Sequence, residues 1–205
     1  MKKASGLEAI LFDFDGVLVD SEPLHFECWN ATLAPFGLSI EWDDYSKHCI
    51  GVSDKEMVLR LCELNGKPEA FHDVWQCYSF KKAMFRKRMR ECVPMSEETL
   101  ELLRHLQDWP LAVVSSSGRT EVEPPLVTAG VRDLFRTVVC GEDVESLKPS
   151  PEPYKLAASR LGVKTALVVE DSDAGETSGR AAGFEVLRVR SVGEMADQVR
   201  RRLKL

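Results

Sequence analysis

Asp13-Phe14-Asp15-Gly16-Val17-Leu18 follows directly on an apolar run, Ala9-Ile10-Leu11-Phe12. A short, continuous apolar run of this kind predicts a strand buried in a parallel sheet. Ligands of open α/β sheets bind beyond the carboxyl ends of the strands, which is where Asp13 and Asp15 fall. Side chains two apart in extended chain point the same way, so both carboxylates are expected to face one pocket. Held together they repel, which raises a pKa or recruits a cation. A hard cation such as Mg2+ suits the pair, with phosphate oxygens completing its shell. Gly16 permits a sharp turn immediately after them. Alone, an Asp-x-Asp sequence also fits two surface aspartates in a turn, so the rest of the chain has to decide.

Working outward, similar runs occur at Leu111–Val114, Thr137–Val139 and Ala166–Val169, with a weaker one at Phe184–Leu187. Helical patterns lie between them. Glu97–Leu106 carries Leu100, Leu103 and Leu106 on one face, and Pro153–Leu161 carries Leu156, Ala157 and Leu161. Asp173–Ala182 is rich in small residues and stops at Gly183. Strands alternating with helices predict an α/β fold with a doubly wound, Rossmann-like parallel sheet. Residues 21–92 break the rhythm, with no convincing strand. Their segments predict helices over Pro23–Phe36, ending at Gly37, over Ser53–Leu64, opened by a Ser53/Glu56 capping box, and over Ala70–Arg90. The expected organisation is a core of residues 1–20 and 93–205 interrupted by an α-helical domain of residues 21–92. Pro124-Pro125 predicts that the helix after the second strand either starts at Pro124 or is kinked.

Three further segments carry chemistry. Glu170-Asp171 ends the run Ala166–Val169 and gives a second strand-end acidic pair, a metal-ligand candidate beside Asp13 and Asp15. Ser115-Ser116-Ser117-Gly118 ends another run, and a hydroxyl-rich turn entering a helix offers N–H and O–H donors to an anion. Lys148-Pro149-Ser150-Pro151 is a proline-stiffened loop that can place one point charge against a phosphate.

With 205 residues, 44% hydrophobic and 29% charged, the composition is that of a soluble globular protein. A net charge of −6 disfavours nucleic acid and anionic membrane as partners. The local basic run from Lys81-Lys82 to Arg90 predicts a solvated helix face. The six cysteines show no Cys-x-x-Cys pair, which argues for reduced thiols, a cytoplasmic setting and no structural zinc. Met1–Leu7 is short and polar, so a signal peptide is not expected. No apolar run approaches the ~18 residues of a membrane span.

In order and spacing the four chemical segments resemble the four motifs of the haloacid dehalogenase superfamily, across Asp13 to Gly175. The resemblance implies that Asp13 attacks phosphorus and forms an aspartyl-phosphate. It implies that Asp15 is the general acid/base, and that Ser115 and Ser116 with Lys148 bind the phosphate. Asp13, the Asp15 carbonyl, Glu170 and Asp171 would surround Mg2+. Asp15 speaks against the dehalogenases and phosphonatases of the family, which lack that second aspartate. The helical insert looks like the small cap of the subgroup containing β-phosphoglucomutase and sugar-phosphate phosphatases. Such a cap closes over the site and excludes water. On that likeness His25, Gly51 and Lys81 are candidate substrate contacts. Ile50 and Asp54 stand where the mutase carries a lysine and an arginine, and Leu147 stands where a glycine usually precedes the motif lysine. The implied function is a Mg2+-dependent phosphatase of a small phosphorylated metabolite, such as a sugar phosphate, working as a monomer. A phosphosugar mutase and a non-catalytic binding protein are the alternatives.

Overall fold

The computed structural model describes residues 6–50 and 52–205. Among them, five strands form one sheet: β1 (Ala9–Phe12), β2 (Leu111–Val114), β3 (Phe135–Val139), β4 (Ala166–Glu170) and β5 (Glu185–Arg188). The order is β3-β2-β1-β4-β5 and every pairing is parallel. β1, β2 and β4 are buried along their whole length, which is why they read as unbroken apolar runs rather than alternating ones. The chain winds from β1 through β2 to β3 on one side, then returns to β4 and β5 on the other. The order therefore reverses between β1 and β4, a switch point that opens a crevice at the carboxyl ends of the strands.

Packing divides the chain into two compact units, one of residues up to Asp20 with Cys92–Leu205 and the other Ser21–Glu91. The second unit is helical: α1 (Glu22–Leu33), α2 (Trp42–His48), α3 (Asp54–Leu64), α4 (Phe71–Gln76) and α5 (Tyr78–Glu91). Its own core gathers Trp29, Leu33, Tyr45, Val58, Leu61 and Val74. Ser53 caps α3 by accepting from the Glu56 N–H at 3.3 Å, as the Ser-x-x-Glu spacing predicts. Three departures from expectation fall in this unit. The helix predicted over Ala70–Arg90 is broken at Cys77 into α4 and α5, and α2 has no counterpart in the sequence reading, being only seven residues long. Lys81 departs from the expected solvated face, with only 2% of its surface exposed.

The first unit adds α6 (Glu97–His105), α7 (Arg119–Thr128), α8 (Glu152–Leu161), α9 (Asp173–Ala181) and α10 (Val192–Leu203). α6 buries Thr99, Leu102 and Leu103, so Leu100 lies at the edge of its core face rather than on it. α7 starts at Arg119 and runs through both prolines, which removes the expectation that it starts at Pro124. Its first turn is held from outside: both Glu142 carboxylate oxygens accept the Arg119 N–H, at 3.1 and 3.0 Å. An external anion satisfies an orphan donor and suits the helix dipole.

Candidate active site

Three adjacent strand ends supply the site. Asp13 follows β1, Ser115 follows β2 and Glu170 closes β4. Lys148 reaches the same place from the loop before α8, its peptide bond to Pro149 being cis. Its side chain is only 6% exposed. The ammonium donates to Asp13 Oδ1 at 2.5 Å, to Glu170 Oε1 at 2.6 Å and to the Val114 carbonyl at 2.9 Å. All three donor hydrogens are thus engaged.

Glu170 is fully buried and rich in donors. Oε1 accepts from Lys148 and from the Tyr154 hydroxyl at 2.8 Å. Oε2 accepts from the backbone N–H groups of Asp171 and Ser172 at 3.0 and 3.2 Å, and from Ser172 Oγ at 3.1 Å. The carboxylate sits against the first turn of α9. A Cβ on Gly175 would lie 1.8 Å from Glu170 Oε1, so only glycine leaves it room. On the other side Gly16 has φ of 77°, and a Cβ there would lie 2.0 Å from Asp171 Oδ2. The glycine after Asp15 therefore serves both the turn and the approach of the second acidic pair.

Asp15 is oriented from β2: Ser117 Oγ donates to its Oδ2 at 2.9 Å. Ser115 is buried, and its Oγ accepts the Ser117 N–H at 3.0 Å, which forms the turn. Ser116 is exposed. The structure thus brings Asp13, Asp15, Ser115, Lys148, Glu170 and Asp171 to one set of strand ends. Two participants escaped the sequence reading. Ser117 lay in the serine turn but carried no signal separating it from its neighbours. Tyr154 was passed over because the pattern of α8 was read from Leu156, Ala157 and Leu161, whereas the buried face is Pro153, Tyr154, Ala157 and Ala158.

The electrostatics follow from burial. Burial raises the pKa of Asp13 well above the usual carboxylate range; Lys148 offsets part of this and Glu170 adds to it. Asp171 is pushed up to about 6, by burial and then by Glu170. Burial also acts to raise Glu170, but Lys148 and the hydrogen bonds around it outweigh that and hold it below its ordinary value. Burial would lower the Lys148 pKa, and the carboxylates of Asp13 and Glu170 reverse the sign. One lysine is too little positive charge for this cluster. Carboxylate oxygens of Asp13, Glu170 and Asp171 lie within 4.8 Å of one another, the oxygen-only donor set that a hard divalent cation takes.

In the helical unit, Lys81 Nζ donates to His25 Nδ1 at 2.6 Å. His25 stacks on Phe85 with ring centroids 3.9 Å apart. The ammonium lies 4.8 Å from the centroid of the Trp29 ring and 5.3 Å from that of Phe85. Burial, and then Lys81, push the His25 pKa down to about 3. The two candidates thus meet each other, which their spacing of 56 residues did not foretell. Gly51 lies outside the described residues.

The sequence model of the haloacid dehalogenase-like hydrolase family matches residues 10–189. Among curated proteins, a phosphorylated carbohydrates phosphatase of Thermotoga maritima is 30% identical over 87% of this chain and 83% of its own length. Fructose-1-phosphate phosphatase YqaB of Escherichia coli is 29% identical over 88% of this chain and 95% of its own. Among solved structures, a haloacid dehalogenase family hydrolase of Deinococcus radiodurans with bound phosphate and sodium is 30% identical. It superposes with a TM-score of 0.71 over 88% of this chain and 79% of its own.

Proposed function

Because the chain belongs to the haloacid dehalogenase-like hydrolases, we propose that it is a phosphoric monoester hydrolase of a small phosphorylated metabolite, a sugar phosphate in the first place, with Asp13 as nucleophile. The observation that carries this is the buried contact of Lys148 with Asp13 and Glu170 at the switch point of the sheet. A cation held against a strand-end carboxylate marks where a phosphoryl group meets both its nucleophile and its counter-charge. The names of the relatives in Thermotoga maritima and Escherichia coli support the substrate class.

In the first step an Asp13 carboxylate oxygen bonds to phosphorus and the ester P–O bond breaks. Asp15 gives its proton to the departing oxygen. In the second, water bonds to phosphorus while Asp15 takes a proton from it. The Asp13–phosphorus bond breaks, which returns the carboxylate and releases inorganic phosphate. Ser117 orients Asp15 for both proton transfers, and Lys148 with the Ser115 turn holds the phosphoryl oxygens.

The donor set fits a divalent cation, which we take to be Mg2+ held by Asp13, Asp171 and the Asp15 carbonyl. Glu170, the third carboxylate of that set and a ligand on the family resemblance, already accepts from Lys148, Tyr154, Ser172 and two backbone N–H groups, and in our reading it would act from behind the ion. When bound, the ion supplies Lewis-acid activation and screens the carboxylates from the phosphate. The helical unit is assigned the part of a cap that selects the remainder of the substrate, with His25, Gly51 and Lys81 as its candidate contacts. Water is favoured over a sugar hydroxyl as acceptor because positions 50 and 54 carry no cation, and the Asp54 carboxylate is held by the Tyr78 hydroxyl.

The test is Asp13→Asn assayed with p-nitrophenyl phosphate and MgCl2. Turnover should vanish, and retained turnover would remove Asp13 as nucleophile. Hexose phosphates then decide the acceptor: free phosphate is expected, whereas isomerisation of β-glucose 1-phosphate without phosphate release would make the chain a mutase.

A further inference from the structure

Tyr154 lies beneath the acidic cluster, in the first turn of α8. It is fully buried, in one apolar cluster with Ala9, Leu11, Val114 and Val168. Phenylalanine would fill that space without a hydroxyl to satisfy, so a tyrosine there needs a polar reason. Its hydroxyl donates to Glu170 Oε1 at 2.8 Å, the oxygen that also accepts from Lys148 at 2.6 Å. The Lys148 ammonium stands 5.1 Å from the centroid of the same ring, within the range of a cation–π contact. One side chain thus holds an anion by its hydroxyl and a cation by its ring face.

We propose that Tyr154 is a positioning residue for phosphoryl transfer: it fixes Glu170 and Lys148 in the arrangement that keeps the ammonium directed at Asp13. The inference rests on the roles given above to Asp13 and Lys148. Lysine carries its charge on a flexible four-carbon stem, so its aim is set by what surrounds the ammonium. Tyr154 takes up part of the charge of Glu170 Oε1. Without the hydroxyl that oxygen binds Lys148 more strongly and draws it from Asp13, so the phosphate-binding position loses its cation.

Tyr154→Phe keeps the ring and deletes only the hydroxyl. Its kcat/KM for p-nitrophenyl phosphate should fall about tenfold, and its affinity for inorganic phosphate with MgCl2, measured by calorimetry, should fall by a similar factor. In a Glu170→Gln background the same substitution should change neither quantity by more than about twofold, since an effect exerted through Glu170 is non-additive with its loss. Changes below twofold in Tyr154→Phe itself, or losses that add to those of Glu170→Gln, overturn the proposal. Because a core substitution can fail to fold, a second measurement uses the unaltered sequence with 13C-labelled tyrosine. The Tyr154 ring signal, assigned against Tyr45→Phe and Tyr78→Phe, should shift on addition of phosphate and MgCl2; an unmoved signal also overturns the proposal. Failure of the underlying function looks different: Asp13→Asn would then turn over normally, whatever Tyr154→Phe does.

Discussion

Among the described residues, each unit of the molecule buries one lysine side chain, and the two have unlike surroundings. Lys148 is clasped by carboxylates, with Asp13 and Glu170 on its ammonium. Lys81 meets a neutral imidazole and two aromatic faces. The first arrangement gathers three carboxylates around one ammonium, a set that suits a cation. In the second, burial and the neighbouring ammonium together deny His25 its proton. Burial alone therefore does not say what a lysine is for; its partners do. The carboxylates around Lys148 belong to the site proposed to take metal and phosphate, whereas the His25 imidazole beside Lys81 is the group that acid would titrate.

Removing the core lysine should have the largest effect. Lys148→Ala takes away the cation proposed to face the phosphoryl oxygens, and a loss of about 10^3-fold in kcat/KM is expected from the cost of deleting one such group. It also leaves Glu170 buried without its cation, so the free energy of unfolding at pH 7, measured with urea, should fall as well, by about 3–5 kcal/mol. If both quantities hold, the ammonium is not the centre of the site.

Gly16→Ala tests the backbone that lets the acidic pairs approach. A side chain there would collide with Asp171 Oδ2 at a positive φ, a strain of about 1–3 kcal/mol. Stability should fall by that amount, and Mg2+ binding measured by calorimetry should weaken with it, since Asp171 must move aside. Unchanged Mg2+ affinity would show that Asp171 has no part in holding the ion.

Metal addition sharpens the contrast between the units. Asp171 is raised to about 6, so the stability it contributes is present at low pH and lost as pH rises through that value, unless a cation compensates. At pH 7.5, Mg2+ at about 100 times its dissociation constant should stabilise the fold by about 2.7 kcal/mol. That rise in thermal midpoint should disappear in EDTA and be absent from Asp171→Asn.

Acid acts on the other unit. His25 is neutral in the fold and pushed down to about 3, while in the unfolded chain it titrates near 6.5. The unfolded state therefore binds the extra proton, and stability is full above that value and declines as pH falls towards 3. Between pH 7 and 5 the loss should be about 2 kcal/mol, read from urea unfolding. His25→Gln should flatten the dependence, and an unchanged slope would remove His25 as its source.

Much of this was legible before any coordinates. The runs at Leu11, Val113 and Val168 announced buried parallel strands, and their ends announced Asp13, Ser115 and Glu170, because a fully buried strand has no polar alternation to blur it. The helical unit was less open. α2 is short, and the kinship of His25 with Lys81 depends on how α1 packs against α5, which no local pattern encodes. In the core, Ser117 and Tyr154 were hidden for different reasons. Ser117 was one serine among three, and Tyr154 fell outside the face read from Leu156, Ala157 and Leu161, whereas α8 buries Pro153, Tyr154, Ala157 and Ala158. Pro124 and Pro125 misled because Glu142, distant in sequence, fastens the start of α7 from outside.

The bond from Lys148 to the Val114 carbonyl has one more consequence. Through Asp13, Val114 and Glu170 a single ammonium fastens the ends of three neighbouring strands. The group that would meet substrate is also a rivet of the sheet. Descendants of this chain that changed chemistry could revise Ser117, or the whole helical insert, one residue at a time. They could not discard Lys148 without first finding another fastening for β1, β2 and β4, so the oldest part of such an enzyme to survive a change of trade would be its lysine.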